Sequence, residues 1–511
     1  MLKNTINFHF RVSFIFFIMA LLFGFFYSLT LLGYGSNLLS PIYALSLHVS
    51  LMLYGFPSLM LTTLPFALFD KDKLEDEKGL HYLNLYFTIW YIFLIFMITS
   101  LLFGNQRGLI FYDYPYVLNF LLAFSGLFFI LSILYYIRHY KIKPLWVKVS
   151  LALVTIAPFL LILLMNPKYG QVQQMMMGPH GDNTLGMSFA ILVLYYLIIK
   201  LHAKIEFKPR FNLLWIIPLV FYILSVLYRI IIGSLTYNQE WFLQWLSFLY
   251  IPIIYFWFKD AKLTIKDNMF LYISILAFFF VDIEGNILFI PNIRELFHRN
   301  DLVVGHAHIA VGISMLFASF AVVKNYFKIN NKMIISWALM LIFMAIVLTI
   351  SGFTQAGFID ITTNSMWILR STFGLIFILL VITFYISYIK IKFLSKLDLY
   401  HIGGFMSDGV GAIFLLLFAT SIYKMLGVDY TIGYQSVIYG FMFSVGIMHL
   451  LGYIKKEWAT PMAIVTTISR IMVASILFSL YTAGVLDYIA LLVSGYDLAY
   501  ALIYIIFIYT I

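Results

Sequence analysis

Apolar stretches long enough to cross a lipid bilayer recur along almost the whole of this 511-residue chain. The hydrocarbon core of a bilayer is about 30 Å thick, and about 20 consecutive apolar residues in an α-helix span it. The pattern therefore predicts an all-α polytopic membrane protein with about sixteen transmembrane helices. The predicted spans are 9–33, 42–69, 83–104, 115–137, 147–166, 183–201, 212–233, 242–258, 269–283, 303–323, 333–352, 367–389, 403–425, 433–454, 462–482 and 488–510.

The composition supports the membrane interpretation and leaves no stretch that resembles a soluble domain. Hydrophobic residues make up 63% of the chain and charged residues 11%, and the mean hydropathy is +0.97. These values lie far outside the averages of soluble proteins. The first span carries Lys3 and Arg11 and is followed by no small-residue cleavage pattern, so we interpret it as a retained helix and not as a signal peptide.

Positive charges are concentrated in alternate loops, which predicts the orientation of the chain. Lys and Arg accumulate on the cytoplasmic side of membrane proteins, so we expect both termini in the cytoplasm, in a cell inner membrane. The net charge of +10 then reflects topology and contact with anionic lipid, and no nucleic-acid partner is implied. The basic clusters lie at 71–78, 138–148, 200–210, 259–266, 324–332, 390–396 and 455–456.

The chain contains no cysteine, which limits the cofactors that it can hold. A c-type heme attachment site, a cysteine-ligated copper centre and an iron–sulfur cluster all need cysteine ligands. If the protein handles electrons, they must arrive from a partner such as a cytochrome c subunit or a quinol.

The motif Gly305-His306-Ala307-His308 places two histidines at positions i and i+2 near the start of a predicted span. Successive residues of an α-helix are about 100° apart, so these two side chains point to nearly opposite faces. A single metal ion is not easily chelated in that way, because pairs on one face are separated by three or four residues. Two flat cofactors, one on each side of the helix, can be ligated, which predicts a helix between two hemes.

The other histidines divide by their expected depth in the membrane. His48 lies about two turns below the outer surface, as His308 does, so the two could bind one iron from two helices. His306 then binds a second iron with an open sixth position, in a heme layer near the outer face. His180 lies at the outer end of the sixth span and His298 in the loop before the tenth. The histidines expected near inner ends, where an interfacial role is the simpler interpretation, are His9, His81, His139, His202, His401 and His449.

These residues resemble subunit I of the heme–copper oxidase superfamily, nearest its cbb-type oxidase and nitric oxide reductase branch. The stretch from Glu284-Gly285 to the His306–His308 motif resembles the family's Glu-Gly loop and His-x-His helix. The loop from Asn105 to Pro115 is similar to an outer loop of the reductases, and the stretch from Tyr169 to Gly186 is similar to one in the cbb-type oxidases. The resemblance covers roughly residues 40–390.

The resemblance implies two b-type hemes. His48 and His308 would ligate the low-spin heme and His306 the high-spin heme, while Asp113 would stand near a calcium ion. Glu284, at the edge of a span, could relay protons to a bound gas. Heme propionates need cationic partners; the outer-loop candidates, whose alternative is a solvated loop position, are Arg107, Arg294, Arg299 and the neighbouring His298.

The chain departs from the family at the third metal. Asp182 stands where the sixth-helix histidine is expected, with His180 two residues upstream as a substitute. Ile231 and Ile232 occupy the positions of the seventh-helix His-His pair, and aliphatic side chains cannot bind a metal. A carboxylate such as Asp182, helped by Glu240 or Asp282, would suit non-heme iron better than copper.

Two functions of different class follow. The first is a diheme membrane oxidoreductase that reduces a diatomic gas, with nitric oxide favoured over dioxygen because dioxygen reduction in this superfamily depends on copper and a histidine-linked tyrosine. The second is a non-catalytic diheme protein for electron transfer, gas sensing or assembly. A transporter without heme is a third, weaker alternative. We expect an oxidase-like domain of about twelve spans at 1–395 and about four further helices of unknown role at 396–511.

Overall fold

A computed structural model describes the chain as helices connected by loops, with no β-strand among the described residues. The chain divides into two compact units, of which unit 1 comprises Met1–Tyr34 and Leu39–Ile389 and unit 2 comprises Gly35–Leu38 and Lys390–Ile511. The structure describes residues 1–35, 39–109, 112–151, 162, 181–206, 209, 213–297, 300–327, 329–388, 395–413, 415–416, 423 and 432–505.

Unit 1 contains a series of long apolar helices with several short ones. Its first helices are α1 (Leu2–Leu31), α2 (Pro41–Ser50), α3 (Pro57–Thr62), α4 (Leu64–Lys71), α5 (Glu77–Leu102), α6 (Leu118–Ile137), α7 (Gly181–His202) and α8 (Leu213–Ile231). They are followed by α9 (Tyr237–Trp245), α10 (Ile251–Asp260), α11 (Met269–Leu288), α12 (Pro291–Phe297), α13 (Asp301–Ala307), α14 (Leu316–Val323), α15 (Asn331–Gln355) and α16 (Thr363–Tyr388). Two π-helical segments, Leu51–Gly55 and His308–Met315, join α2 to α3 and α13 to α14, and the 3-10 segment Leu246–Tyr250 joins α9 to α10.

The prediction of an all-α polytopic membrane protein is confirmed. Among the described residues, 11 helical segments are long and apolar enough to cross a membrane. The short spans predicted at 242–258 and 269–283 correspond to the candidate segments Tyr237–Asp260 and Met269–Leu288. The span predicted at 147–166 lies mostly outside the described residues, and the one at 403–425 lies partly outside them.

Polar residues define where several of these helices begin. Asp76 precedes α5, and its side chain accepts a hydrogen bond from Gly79 N at 2.8 Å. The same carboxylate is 2.7 Å from Arg138 Nη2 and 2.8 Å from His139 Nε2 at the end of α6. Burial alone would raise the pKa of Asp76, but these hydrogen bonds and the guanidinium outweigh burial and lower the pKa. Asp76 therefore both caps α5 and ties it to α6.

Aromatic side chains from α1, α14 and α15 and from the residue before α3 pack together in the core of unit 1. The ring centroids of Phe17 and Phe56 are 4.7 Å apart, and those of Phe56 and Phe320 are 5.3 Å apart. Phe320 in turn packs on Trp337 at 4.8 Å. All four side chains are fully buried, so this cluster fixes the His48-bearing segment against the helix that follows His308.

Unit 2 is a smaller helical bundle. Its helices are α17 (Lys396–Gly404), α18 (Ile432–Ile454), α19 (Ala459–Thr482) and α20 (Tyr488–Tyr504), with a π-helical segment at Phe405–Val410 after α17 and a 3-10 turn at Lys456–Trp458 before α19. A Cβ at Gly446 would lie 2.2 Å from Gly409 N. Glycine at these two positions therefore allows the π-helical segment and α18 to approach at backbone distance.

Candidate functional site

His48 and His308 face each other inside unit 1. Their imidazole centroids are 6.4 Å apart, with 27° between the ring planes. With metal–imidazole bonds of about 2.0–2.1 Å and the ring centre about 1.1 Å beyond the nitrogen, two imidazoles on opposite sides of one ion have centroids about 6.3 Å apart. The pair therefore has the spacing of two axial ligands of a single iron.

Hydrogen bonds orient both rings through the same nitrogen. His48 Nδ1 is 2.8 Å from the carbonyl oxygen of Ala20, and His308 Nδ1 is 2.7 Å from that of Val304. A carbonyl oxygen only accepts, so in each neutral ring Nδ1 donates and Nε2 keeps its lone pair. Metal-binding histidines are oriented in this way by partners on their outer nitrogen.

Gly24 leaves the space that His48 occupies against α1. A Cβ at position 24 would lie 2.5 Å from His48 Nδ1 and 2.6 Å from its Cε1, which is closer than side-chain atoms pack. The absence of a side chain at Gly24 and the carbonyl of Ala20 one turn earlier together position the ring.

Both histidines lie next to an irregular helical segment. The π-helical segment Leu51–Gly55 begins three residues after His48, and His308 is the first residue of the π-helical segment His308–Met315. Single π turns within α-helices are frequent at functional sites, because the inserted residue re-aims the side chains around it. The irregular geometry thus coincides with the two histidines.

His306 contacts a different helix from the one that His308 faces. Its Nδ1 is 3.3 Å from Glu284 Oε2 on α11, and a Cβ at Gly285 would lie 3.0 Å from its Cε1. The His306 and Glu284 side chains are 25% and 18% exposed in the isolated chain. The histidines at i and i+2 thus point to two separate sides, one lined by α2 and the other by α11.

The other carboxylates near α11 already have partners. Both oxygens of Asp282 lie 2.8 Å from Ser247 Oγ, and Gln244 Nε2 donates to the carbonyl oxygen of Gly285 at 3.1 Å. Glu240 accepts a hydrogen bond from Arg229. The two residues that the sequence offered as helpers of Asp182 are therefore engaged within their own part of unit 1.

Arg370 on α16 is a candidate that the sequence analysis missed. Its side chain is 6% exposed, and no hydrogen-bond partner of its Nε or Nη2 is found among the described residues. It interacts electrostatically with His308 and Asp301. A buried guanidinium with free donors needs an anionic partner. The signal in the sequence was the arginine itself, isolated in the apolar stretch of α16.

Asp301 anchors the start of the helix that carries His306 and His308. Its Oδ2 accepts hydrogen bonds from Ser351 Oγ at 2.6 Å, Gln355 Nε2 at 3.0 Å and Trp367 Nε1 at 2.7 Å. These donors come from α15 and α16. The carboxylate thus joins three helices around the side of the site on which Arg370 lies.

The outer loop after α5 contacts the helix of His48 through Asp113. Asp113 Oδ2 accepts a hydrogen bond from Ser46 Oγ at 2.5 Å, and Oδ1 accepts one from Leu109 N at 2.8 Å. The backbone N of Arg107 donates to the backbone carbonyl of Asp113 at 2.8 Å. Since Ser46 lies two residues before His48, this loop contacts the helix that carries His48.

The outer residues that precede α13 are described only in part. The guanidinium carbon of Arg294 lies 5.5 Å from the ring centroid of Tyr237, whose hydroxyl donates to the carbonyl oxygen of Phe289 at 2.5 Å. Arg294, on α12, thus contacts α9. His298 and Arg299 lie outside the described residues.

The predicted third-metal residues are also only partly described. Asp182 lies in α7, but its side chain is outside the described residues, as is the whole of His180. Among the residues that are described, no group of three or more His, Cys, Asp or Glu side chains could hold a metal ion. Ile231 and Ile232 are 77% and 68% exposed, so neither turns toward the interior of unit 1.

Fold and site together define an all-α polytopic membrane protein with a heme–copper oxidase subunit I-like helical bundle. The chain is similar to the cryo-EM structure of a heme-copper terminal oxidase dimer, with a TM-score of 0.52 and 14% sequence identity over 77% of this chain and 84% of that one. No family model and no curated protein matches the sequence. The similarity lies in the fold, and the arrangement of the histidines within it comes from this chain's own geometry.

Proposed function

We propose that this chain is a diheme b membrane oxidoreductase of the heme–copper oxidase superfamily, which reduces a diatomic gas. The observation that carries the proposal is the His48–His308 pair, whose centroid spacing of 6.4 Å fits one iron, together with the separate direction of His306 toward α11. The similarity of the fold to a heme-copper terminal oxidase supports the same function.

His48 and His308 would hold the low-spin heme b, and His306 would hold the high-spin heme b. A heme with two histidine ligands supplies one-electron transfer, whereas a heme with one histidine ligand leaves a position open for a gas. The Nδ1 hydrogen bonds to Ala20 and Val304 hold the two rings in the ligating tautomer, so both rings are already oriented before the cofactor binds.

Glu284 would act on His306 and on protons. By accepting a hydrogen bond from His306 Nδ1, the carboxylate fixes the ring and raises the basicity of its Nε2. A partly buried carboxylate at this position can also take up and release a proton. Glu284 is therefore our candidate for supplying protons to a gas bound at the second heme.

Arginines would bind the heme propionates. Arg370 is the best supported of them, because its buried Nε and Nη2 lack partners among the described residues, and a bidentate carboxylate would satisfy them. Arg107, Arg294, Arg299 and His298 are the outer-loop candidates, and Asp113 is the candidate for a calcium ion beside them. Asp113 oxygens already accept from Ser46 and Leu109, and each retains a lone pair for a cation.

Nitric oxide is the favoured substrate. Ile231 and Ile232 replace the histidines that a copper site needs, and hard oxygen ligands such as Asp182, with His180 nearby, suit non-heme iron. In the superfamily that the chain resembles, nitric oxide reduction uses non-heme iron with carboxylate help, so a carboxylate at this position impairs it less than it impairs dioxygen reduction. Electrons would come from a cytochrome c subunit or a quinol, because the cysteine-free chain holds neither a c-type heme nor a cysteine-ligated copper.

The proposal also includes the domain organisation of the chain and its orientation in the membrane. Residues 1–395 would form the catalytic domain and 396–511 an additional membrane domain, in a cell inner membrane with both termini in the cytoplasm. The lysine-rich loops between alternate spans support that orientation.

A second function is supported by one specific observation. Ile231 and Ile232 stand where the resemblance expects the seventh-helix His-His pair, and both side chains are exposed, which fits a diheme protein that has lost the third metal. Such a protein would transfer electrons, sense a gas or assist assembly. It needs His48, His306 and His308 but neither Asp182 nor His180.

A reduced and a reduced-plus-CO visible spectrum of the purified chain, with heme quantified per polypeptide, tests the proposal. We expect two b hemes, of which one responds to CO. His308→Ala should remove the heme that ignores CO and His306→Ala the heme that binds it. His202→Ala is the matched control, because His202 is a partly buried histidine bonded to the carbonyl oxygen of Ala321 at 2.9 Å. Two hemes without a CO response would favour the non-catalytic function, and a protein without heme would overturn both.

A further inference from the structure

Unit 2 contains a group of buried charges that the proposed oxidoreductase does not use. Arg470 on α19 donates through Nη2 to Asp408, in the π-helical segment, and through Nη1 to Asp497 Oδ1 on α20 at 2.5 Å. The side chains of Arg470, Asp408 and Asp497 are 4%, 7% and 14% exposed. Charged residues within membrane helices are costly and generally serve a function.

The charges in this group do not balance. One guanidinium faces two carboxylates, which leaves a net charge of about −1 if both are ionised, and an uncompensated buried charge is strongly unfavourable. Among the described residues, the other neighbours of Arg470 are uncharged. Ser407 Oγ accepts from Arg470 Nη2 at 3.4 Å, and the ring centroids of Tyr496 and Tyr500 lie 5.5 and 4.3 Å from the guanidinium carbon. A tyrosine face compensates a cation and adds no positive charge. Within the described residues, the group therefore lacks one positive charge.

Two histidines meet beside Asp408. His449 Nε2 lies 3.8 Å from Asp408 Oδ2, and His449 Nδ1 lies 3.2 Å from His401 Nδ1. His401 Nε2 in turn is 2.7 Å from the carbonyl oxygen of Ala459. Both rings are fully buried, so neither side chain is exposed at the surface as the interfacial role interpreted from the sequence would require.

The hydrogen bonds determine which ring nitrogens of His401 and His449 carry a proton. The carbonyl of Ala459 only accepts, so His401 Nε2 donates to it and a neutral His401 has a bare Nδ1. His449 Nδ1 must then donate to His401 Nδ1, which leaves His449 Nε2 without a proton. That nitrogen has no hydrogen-bond partner among the described residues and faces the Asp408 carboxylate, so two acceptors confront each other.

One proton resolves both the charge and the hydrogen-bond mismatch. Placed between His449 Nε2 and Asp408 Oδ2, it converts two opposed acceptors into a hydrogen bond after an approach of less than about 1 Å. A metal cation fits less well, because no group of three or more metal-ligating side chains is found among the described residues, and the Arg470 guanidinium bonded to Asp408 repels a cation.

The surrounding backbone is shaped to admit the two rings. A Cβ at Gly404 would lie 2.4 Å from His449 Nε2, and a Cβ at Gly452 would lie 2.5 Å from His401 Cε1. Any other residue at either position would displace an imidazole. Tyr400 lies alongside, with its hydroxyl 3.0 Å from Thr467 Oγ1 and its backbone carbonyl accepting from the Tyr500 hydroxyl at 2.6 Å.

The site lies well inside the membrane. Helices rise 1.5 Å per residue, so Arg470 lies about 16 Å along α19 from Ala459, roughly half of the 30 Å hydrocarbon thickness. At the Ala459 end, the exposed Lys456 pairs with the buried Asp398, and the two histidines lie between this pair and Arg470.

We propose that His449 and Asp408 form a proton-binding site in unit 2, with His401 as the positioning residue and Arg470 and Asp497 setting its charge. The site takes up one proton from water and transfers no electron. It provides unit 2 with a function that is independent of heme.

Solid-state NMR of the full-length protein in lipid vesicles, with ring ¹⁵N-histidine and ¹³C-carboxyl-aspartate labels, tests this proposal. The His449 and Asp408 signals are assigned by their loss in His449→Gln and Asp408→Asn. We expect one proton on the pair at neutral pH. Asp497→Asn restores charge balance without that proton, so it should lower the pH at which the pair deprotonates by at least about one unit, a tenfold loss of proton affinity.

His202→Gln is the matched control, since it removes a partly buried histidine of unit 1 and should leave the titration of the pair unchanged. The remaining histidine signals report whether each variant is folded, and His306→Ala and His308→Ala, each of which should lose one heme, show whether the result depends on either heme. An ionised Asp408 beside a neutral His449 with a bare Nε2 in the folded wild type would overturn the proposal. A titration that shifts with sodium concentration would also overturn it, since the site would then bind a metal cation.

Discussion

Glu284 and His306 form a carboxylate–imidazole pair across the interface of α11 and α13, with Oε2 3.3 Å from Nδ1. A carboxylate on the outer nitrogen of a metal-binding histidine fixes the tautomer and makes the inner nitrogen a stronger ligand. The pair therefore connects the predicted high-spin heme to a residue that can exchange protons.

Removal of this carboxylate should affect one heme only. Outer partners of metal ligands typically contribute about 10–100-fold in metal affinity or activity, so we expect Glu284→Ala to reduce gas turnover by about that factor. Glu284→Gln keeps a hydrogen-bond acceptor and should retain the heme while losing proton delivery. CO spectra and turnover of both variants check this. Equal turnover in Glu284→Ala and wild type would contradict the assigned role.

Gly24 should be required for the low-spin heme. In Gly24→Ala the new Cβ would lie 2.5 Å from His48 Nδ1, so the imidazole must leave its position and the bond to Ala20. We expect the spectrum of the six-coordinate heme to be lost or converted to that of a five-coordinate one. Gly374→Ala is the control, because a Cβ at Gly374 meets no atom within 4 Å. A normal spectrum in Gly24→Ala would show that His48 is not an axial ligand.

The opposite directions of His306 and His308 were predictable from the sequence, because helical periodicity places residues i and i+2 on nearly opposite sides of a helix. The residues that these histidines contact were not predictable, because each contact depends on the packing of a helix distant in sequence. His48 meets Gly24 and Ala20 only because α1 crosses α2 closely, and nothing local to either residue indicates that contact. The burial of His401 and His449 was missed for the same reason, because their position near helix ends suggested exposed side chains, whereas packing within unit 2 buries them.

Arg370 should influence the potential of the low-spin heme. A cation near a heme favours the reduced form, since reduction removes a positive charge from the site. Arg370→Met should therefore lower the midpoint potential of the His48–His308 heme, whereas Arg370→Lys keeps the charge and should lower it less. Redox titration of the two variants checks the order. A potential that is the same in Arg370→Met and wild type would place the propionates elsewhere.

Asp76 should make the stability of unit 1 sensitive to acid. Because its pKa is lowered in the folded chain, its stabilising contribution is present above the pKa of an unfolded aspartate and is lost as the pH falls through the folded-state value. Asp76→Asn should lower the free energy of unfolding by about 0.5–2 kcal/mol at neutral pH through the weakened helix cap, and should flatten the acid limb of the curve. Thermal unfolding in detergent across pH measures both effects, with Asp360→Asn, an exposed aspartate, as control.

Asp182 should distinguish an enzyme from a diheme protein without catalytic activity. If its carboxylate binds non-heme iron, Asp182→Ala should lose that iron and nitric oxide turnover together while both b hemes remain, because His48, His306 and His308 are supplied by other helices. His180→Ala tests the substitute ligand in the same assay. Iron analysis, heme spectra and nitric oxide consumption are needed side by side, since loss of turnover alone would also follow from misfolding. Unchanged consumption by a demonstrably active Asp182→Ala protein would remove this residue from the site. Wild-type protein with two hemes, no third metal and no turnover would instead favour electron transfer or gas sensing. These functions need no third metal, so isoleucines at 231 and 232 would not impair them.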